Sequence, residues 1–140
     1  MYSHLPPLNI RVYGLRIINK KVMIVKEKYL SQYLIKFPGG GLEYGEGTID
    51  CLRREFKEEL NCELNTIKHF YTTDFFQKSA WDDRQVISIY YLINTDKNCP
   101  LDIKNDIGHF FMASKKDLKD LIHLPIDKIV VNKLIEVGLI

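Results

Sequence analysis

The stretch FPGGGLEYGEGTIDCLRREFKEELNC, residues 37–62, decides the fold, because a strand end, a glycine loop and a helix follow one another in it. Phe37 precedes a proline and is therefore biased to extended backbone. Between Gly39 and Gly47 the chain places five of its eight glycines, a density that suits backbone accepting positive φ or closely approaching a ligand. From Thr48 to about Leu60, apolar Ile49, Leu52, Phe56 and Leu60 recur at intervals of three and four, which predicts a helix with one buried stripe. Glu55, Glu58 and Glu59 crowd that helix. Residues three and four apart are neighbours, so Glu55 meets both of the others, and like charges this close call for a cation among them. At roughly 100° per residue, Glu55 and Glu59 rim the buried stripe, while Glu58 lies further round toward solvent. A bound divalent metal is the natural cation. Asn61, just past the periodic segment, is an acceptable left-handed stop.

Outward from this stretch, Leu8 to Ile18 is rich in β-branched and aromatic residues and reads as a strand. Asn19-Lys20 is a turn, and Val22 to Val25 pairs back as a hairpin. Lys26 to Gln32 is polar and charged, and Tyr33 to Phe37 is a short strand leading into the glycine loop. Downstream, Glu63 to Phe76 reads as extended, and Gln77 to Asp83 as a polar loop holding the only tryptophan, Trp81. Val86 to Ile93 is almost continuously apolar, the pattern of a strand buried on both faces. A long turn from Asn94 to Asp106 precedes a strand over Gly108 to Met112. Ser114 with Asp117 resembles a capping box that opens a helix toward Ile122, and Pro125 suits the first turn of a last helix that Gly138 ends. Strands with helices between and after them argue for one α/β layered domain spanning residues 1–140.

Composition narrows the function class. The formal charge of +2 is too mild to argue for a nucleic-acid or membrane partner, so no DNA is expected. The distribution is uneven. Seven acids against three bases between Glu43 and Glu63 give a net of −4 there, which leaves +6 for the rest of the chain. An acidic pole on a basic body suits a metal site that also attracts an anionic ligand. Cys51, Cys62 and Cys99 are odd in number and lack zinc spacing, which predicts reduced thiols in a cytoplasm. The N-terminal Met-Tyr-Ser-His-Leu-Pro-Pro shows neither a basic start nor an apolar run, so no signal peptide is expected. No stretch reaches the length of a membrane helix.

From Gly40 onward the spacing is Gly, five residues, Glu46, seven residues, Arg54-Glu55, apolar Phe56, one residue, Glu58-Glu59, one residue, Asn61, apolar Cys62. This resembles the Nudix box, the signature of the Nudix hydrolases, at every fixed position except Asn61, where the box has glycine. Asparagine is the non-glycine residue most at ease with positive φ. The resemblance implies an α/β/α sandwich with a mixed β-sheet. It also implies hydrolysis of a diphosphate linkage in a small nucleoside diphosphate derivative, with Mg²⁺ or Mn²⁺ as cofactor. Mg²⁺ takes hard oxygen ligands, keeps several waters, and binds through a few carboxylates plus substrate phosphates. By the same resemblance, Glu55 and Glu59 are metal ligands. Glu58 is a further ligand or the group that handles the water's proton, and a Gly39 carbonyl completes the shell. Glu46 and Arg54 form an internal ion pair that braces the Gly40 loop against the helix. Trp81 as a base-stacking platform and Asp106 as an additional carboxylate are candidate substrate-site residues outside the box. Phe75, Phe76, Tyr90 and Tyr91 read as core, and His69 and His109 as core or edge residues. Family members are often dimers, so a homodimer is an expectation.

Each assignment has a plain rival. An isolated Glu-rich helix face is usually only solvated, and the glycine loop and Arg54 in register are what argue against that here. Two other functions fit the same fold: a nucleotide-sensing module without turnover, and a hydrolase acting on RNA 5′ ends. The sensor is disfavoured because every box acid is present. The RNA reading lacks a visible basic and aromatic stripe.

Overall fold

The positive φ angles of Asn19 (51°) and Lys20 (65°) form a tight turn that joins β1 (Leu8–Ile18) to β2 (Lys21–Tyr29). The two strands pair only next to this turn, at Ile17 with Val22 and Ile18 with Lys21. Beyond it they diverge, and two short strands fill the wedge between them. β3 (Gln32–Lys36) pairs with β2, setting Lys36 opposite Val25, and β4 (Gly39–Gly41) pairs with β1, setting Gly39 opposite Tyr13. The chain crosses the wedge at Phe37-Pro38, where the Gly14 amide donates to the Pro38 carbonyl at 2.9 Å. The computed structural model describes residues 7–140, and the signal-peptide reading of the N-terminus lies outside them.

The remaining elements are α1 (Thr48–Leu60), β5 (Leu64–Thr72), β6 (Gln85–Thr95), β7 (Ile103–Lys104), β8 (Gly108–Ala113), α2 (Lys115–Leu121) and α3 (Pro125–Glu136). The sheet runs β5-β6-β1-β2-β8-β7. β1 and β6 are parallel and every other strand pair is antiparallel, so the sheet is mixed. Alternation along the strands builds two cores. Val12, Met23, Val25 and Phe110 face α1 through Cys51, Leu52, Phe56 and Leu60. Tyr13, Leu15, Val22, Ile24 and Tyr90 face α2 and α3 through Leu118, Val130, Val131 and Leu134. The result is an α/β/α sandwich. Among the described residues, no helix is long and apolar enough to cross a membrane.

Several local expectations need correction. Ile49 is 44% exposed, and Cys51 takes its place in the buried stripe, because it is Cys51 that faces β4, with its Sγ 3.5 Å from the Gly41 carbonyl oxygen. β2 continues through the charged segment to Tyr29, since pairing with β3 needs only backbone groups. Gly39 to Gly41 is a strand on β1 rather than loop. β6 sends Tyr90 into the core under α2 and α3 and Ile93 into the core under α1, so both of its faces are covered as expected, although most of its other residues are only half-buried. Phe75 and Phe76 are exposed rather than core. Cys62 and Cys99 form a disulfide, and only Cys51 is free. The turn after β6 carries Cys99 back beside the end of α1, a juxtaposition that spacing along the chain does not reveal. The cysteines therefore no longer argue for a reducing compartment.

Candidate active site

The site is built around the Arg54 guanidinium, which sits where α1 meets the glycine strand. Its Nε and one terminal nitrogen grip Glu46 at 3.0 and 2.8 Å, and that nitrogen also donates to the Gly41 carbonyl at 3.0 Å. The other terminal nitrogen donates to Glu55 at 3.0 Å and to Glu58 at 3.3 Å. This bidentate bond holds the Glu46 carboxyl down at about 2 and raises the pKa of Arg54 itself. Glu46 in turn accepts the Glu43 amide at 2.9 Å, so a single cation locks the loop to the helix.

Glycine is required at two positions here. Gly39 has φ +150°, and a Cβ there would overlap the Val12 carbonyl oxygen. A Cβ at Gly40 would overlap the Glu55 carboxylate, which lies directly against the β4 backbone. Asn61 ends α1 in the left-handed region at φ 54°, with its amide donating to the Lys57 carbonyl and the Cys62 amide donating to the Phe56 carbonyl.

Glu55 and Glu59 are brought together. The side chain of Glu55 is only 13% exposed. Burial, with the adjacent and hydrogen-bonded Glu55, holds the Glu59 pKa well above the carboxylate range, against the pull of Lys36. Glu58 is not gathered in; its side chain is 60% exposed and is held by Arg54 on the solvent side. Asp106 is also exposed, although its neighbour Asn105 donates to the Glu59 carbonyl at 2.7 Å. Burial pushes the Cys51 thiol up to about 12, which removes it as a nucleophile at neutral pH.

Where β1 splays apart from β2 and β3 lies a cavity of about 340 Å³. Arg11 and Tyr13 of β1, Glu27 of β2, Lys36 of β3 and Asp127 of α3 line it, and Trp81 reaches it from the loop before β6. Trp81 is not a free platform, because its ring packs on Tyr29 at 4.6 Å between centroids. Asp127 is 3% exposed and accepts the Tyr90 hydroxyl at 2.6 Å. Glu27, Lys36, Arg11 and Asp127 escaped the sequence reading. The only signals were charged residues inside strand-like stretches and an acid in the first turn of a helix, and both patterns have ordinary surface explanations.

A family model described as the NUDIX domain matches residues 7–132. The chain belongs to the Nudix family. Among solved structures, the Escherichia coli ORF135 protein superposes with a TM-score of 0.75 at 16% identity, covering 92% of this chain and 89% of that one. A MutT from work on Aliivibrio salmonicida and Vibrio cholerae gives a TM-score of 0.71 at 20% identity, over 92% and 98% of the two chains. A NUDIX hydrolase from Nitrosomonas europaea gives 0.71 at 17% identity, over 94% and 90%. No curated protein matches the chain. The protein is thus a Nudix hydrolase, a family that generally uses divalent metals and acts on nucleoside diphosphate derivatives.

The donor set of this Nudix site fits a hard cation in part. Among the described residues, His, Cys, Asp and Glu do not gather as a ready set of three ligands. What stands assembled is the Glu55–Glu59 pair, seated on Gly40. Two carboxylates suffice for Mg²⁺, which keeps waters and takes further oxygens from a substrate's phosphates.

Asp127 gives a separate test of the site's electrostatics. Burial raises its carboxyl from 3.8 to about 6, so the folded protein binds a proton that the unfolded chain has released. That contribution to stability is complete below about pH 4 and is lost as pH rises through about 6, amounting to about 3 kcal/mol. Asp127→Asn keeps an acceptor for Tyr90 and does not titrate. In denaturant unfolding of the metal-free protein, the variant should match wild type near pH 4 and exceed it by about 3 kcal/mol at pH 7. Parallel stability curves would refute the burial argument.

Proposed function

We propose that the protein hydrolyses the diphosphate linkage of a small nucleoside diphosphate derivative with Mg²⁺ or Mn²⁺. The observation that carries this reading is the Glu55–Glu59 pair, with Glu55 held against Gly40 by Arg54, within electrostatic reach of Arg11 and Lys36 in the lining of a cavity that matches the smaller ligand sites of enzymes in volume. When bound, a divalent ion neutralises the diphosphate and acidifies the water that attacks phosphorus. Glu55 and Glu59 hold that ion, with the Gly39 carbonyl as a further oxygen. Glu59, whose environment favours its protonated form in the metal-free protein, would give up that proton and ionise as a ligand once a cation joined the pair. Glu58 becomes a third carboxylate only by leaving Arg54. The cavity takes the nucleoside, bounded by Tyr29 and Trp81 at its outer end.

The test is a panel of nucleoside triphosphates, nucleotide sugars, ADP-ribose, dinucleoside polyphosphates and 5′-triphosphorylated RNA, each with Mg²⁺, Mn²⁺ or EDTA. Release of a nucleoside monophosphate from a small nucleotide, abolished by EDTA, is the expected result. Nucleotide binding without product under saturating metal would replace the enzyme with a sensor, and turnover confined to RNA would move the substrate to 5′ ends.

A further inference from the structure

Four cationic side chains line the cavity; Lys78 and Arg84 pair with Asp83 and Asp82 of their own loop, whereas Lys36 and Arg11 rise from the sheet with partners that orient them without exhausting them. Lys36, the last residue of β3, is 7% exposed, and its Nζ lies 3.3 Å from a Glu27 oxygen. An ammonium has three donors, so at least one remains for a ligand. Arg11 on β1 donates its Nε to the Tyr13 hydroxyl at 2.7 Å, and among the described residues its terminal nitrogens make no hydrogen bond to the protein. Both side chains line the cavity. The charge of Arg11 is felt by Glu55 and Glu27, and that of Lys36 by Glu59 and Asp127. The two cations therefore line the cavity while lying within electrostatic reach of the carboxylate pair.

As structure alone, this arrangement is poorly motivated. Lys36 and Glu27 are diagonal neighbours on the β2–β3 ladder, where apolar residues of similar volume would fill the same space without desolvating charges. A guanidinium fixed at Nε presents its two remaining amino groups as a planar fork, the geometry that grips phosphate oxygens in pairs. A neighbouring ammonium adds a point charge.

We propose that Arg11 and Lys36 form the seat for the substrate phosphate nearest the nucleoside, with Tyr13 and Glu27 orienting them. The proposal rests on the nucleotide reading above and adds two binding residues outside the signature helix. The carboxylate pair handles the bond to be cut, and these cations fix the register of the chain of phosphates against it.

The experiment measures binding rather than turnover. The four ribonucleosides and their 5′-monophosphates are titrated in EDTA by calorimetry into wild type, Arg11→Met, Lys36→Met, Lys36→Arg and the Lys36→Met/Glu27→Gln double variant. Wild type should bind at least one monophosphate about tenfold or more tightly than its nucleoside. Arg11→Met and Lys36→Met should each remove most of that increment while nucleoside affinity changes less than about threefold, and Lys36→Arg should keep it. The double variant leaves no unpaired charge behind and separates a lost phosphate contact from a disturbed fold. Equal binding of nucleosides and monophosphates, no binding of either, or an increment that survives all the neutral variants would each overturn the proposal. Absence of turnover with Mg²⁺ beside an intact increment would instead remove the hydrolase reading and leave the phosphate seat standing.

Discussion

Glu59→Gln is expected to lower kcat by about a thousandfold or more while leaving a folded protein, and to make the metal-free protein more stable than wild type at pH 8. The two effects share a cause. Glu59 is pressed by burial and by Glu55, so its folded pKa is raised above that of the unfolded chain. A raised acid contributes stability that is present below its unfolded pKa and lost as pH rises through the folded one. At pH 8, close to its folded pKa of about 8, wild type carries most of that loss, whereas a neutral glutamine carries none. The same substitution removes an anionic oxygen from the proposed metal pair. Added Mg²⁺ should therefore raise the unfolding temperature of wild type and leave that of Glu59→Gln nearly unchanged. A helix-face glutamate that is merely solvated would move neither quantity. A variant that retains the wild-type rate, or that loses stability at pH 8, would sink the assignment.

How far the sequence could be read depends on where each interaction lies along the chain. Helix α1 and its stop at Asn61 were legible because periodicity and capping are local; so were the Ser114 and Pro125 helix starts. The adjacency of Glu55 and Glu59 and the position of Arg54 came from fixed spacing within one turn and one loop. The Cys62–Cys99 bridge spans 37 residues and needs the sheet order to bring its ends together. The cavity is harder still, since Arg11, Glu27, Lys36 and Asp127 come from three strands and a helix and meet only because β1 and β2 splay beyond their turn. Trp81 was singled out for its polar surroundings, and the structure adds a partner, Tyr29, on a strand that the sequence pattern had ended four residues earlier.

Arg54→Met is expected to lower kcat about 10- to 100-fold and to raise the Mg²⁺ concentration needed for half-maximal rate by a similar factor, without touching the substrate. Arg54 bonds Glu46, Glu55, Glu58 and the Gly41 carbonyl at once. Without it, Glu55 loses the cation that orients it on Gly40, and the loop loses its tie to α1. Arg54→Lys should recover little, because a point charge cannot reproduce two parallel bonds to Glu46 while also reaching Glu55. The acid limb of stability supplies an independent readout. With its folded pKa near 2, Glu46 contributes stability that is present above its ordinary value of 4.5 and is lost only as pH falls toward 2. In Arg54→Met that carboxyl returns toward its ordinary range, so its contribution should be absent from the acid unfolding curve. Wild-type acid stability in Arg54→Met would mean that Glu46 is held by the Glu43 amide instead, and Arg54 would then act on Glu55 alone.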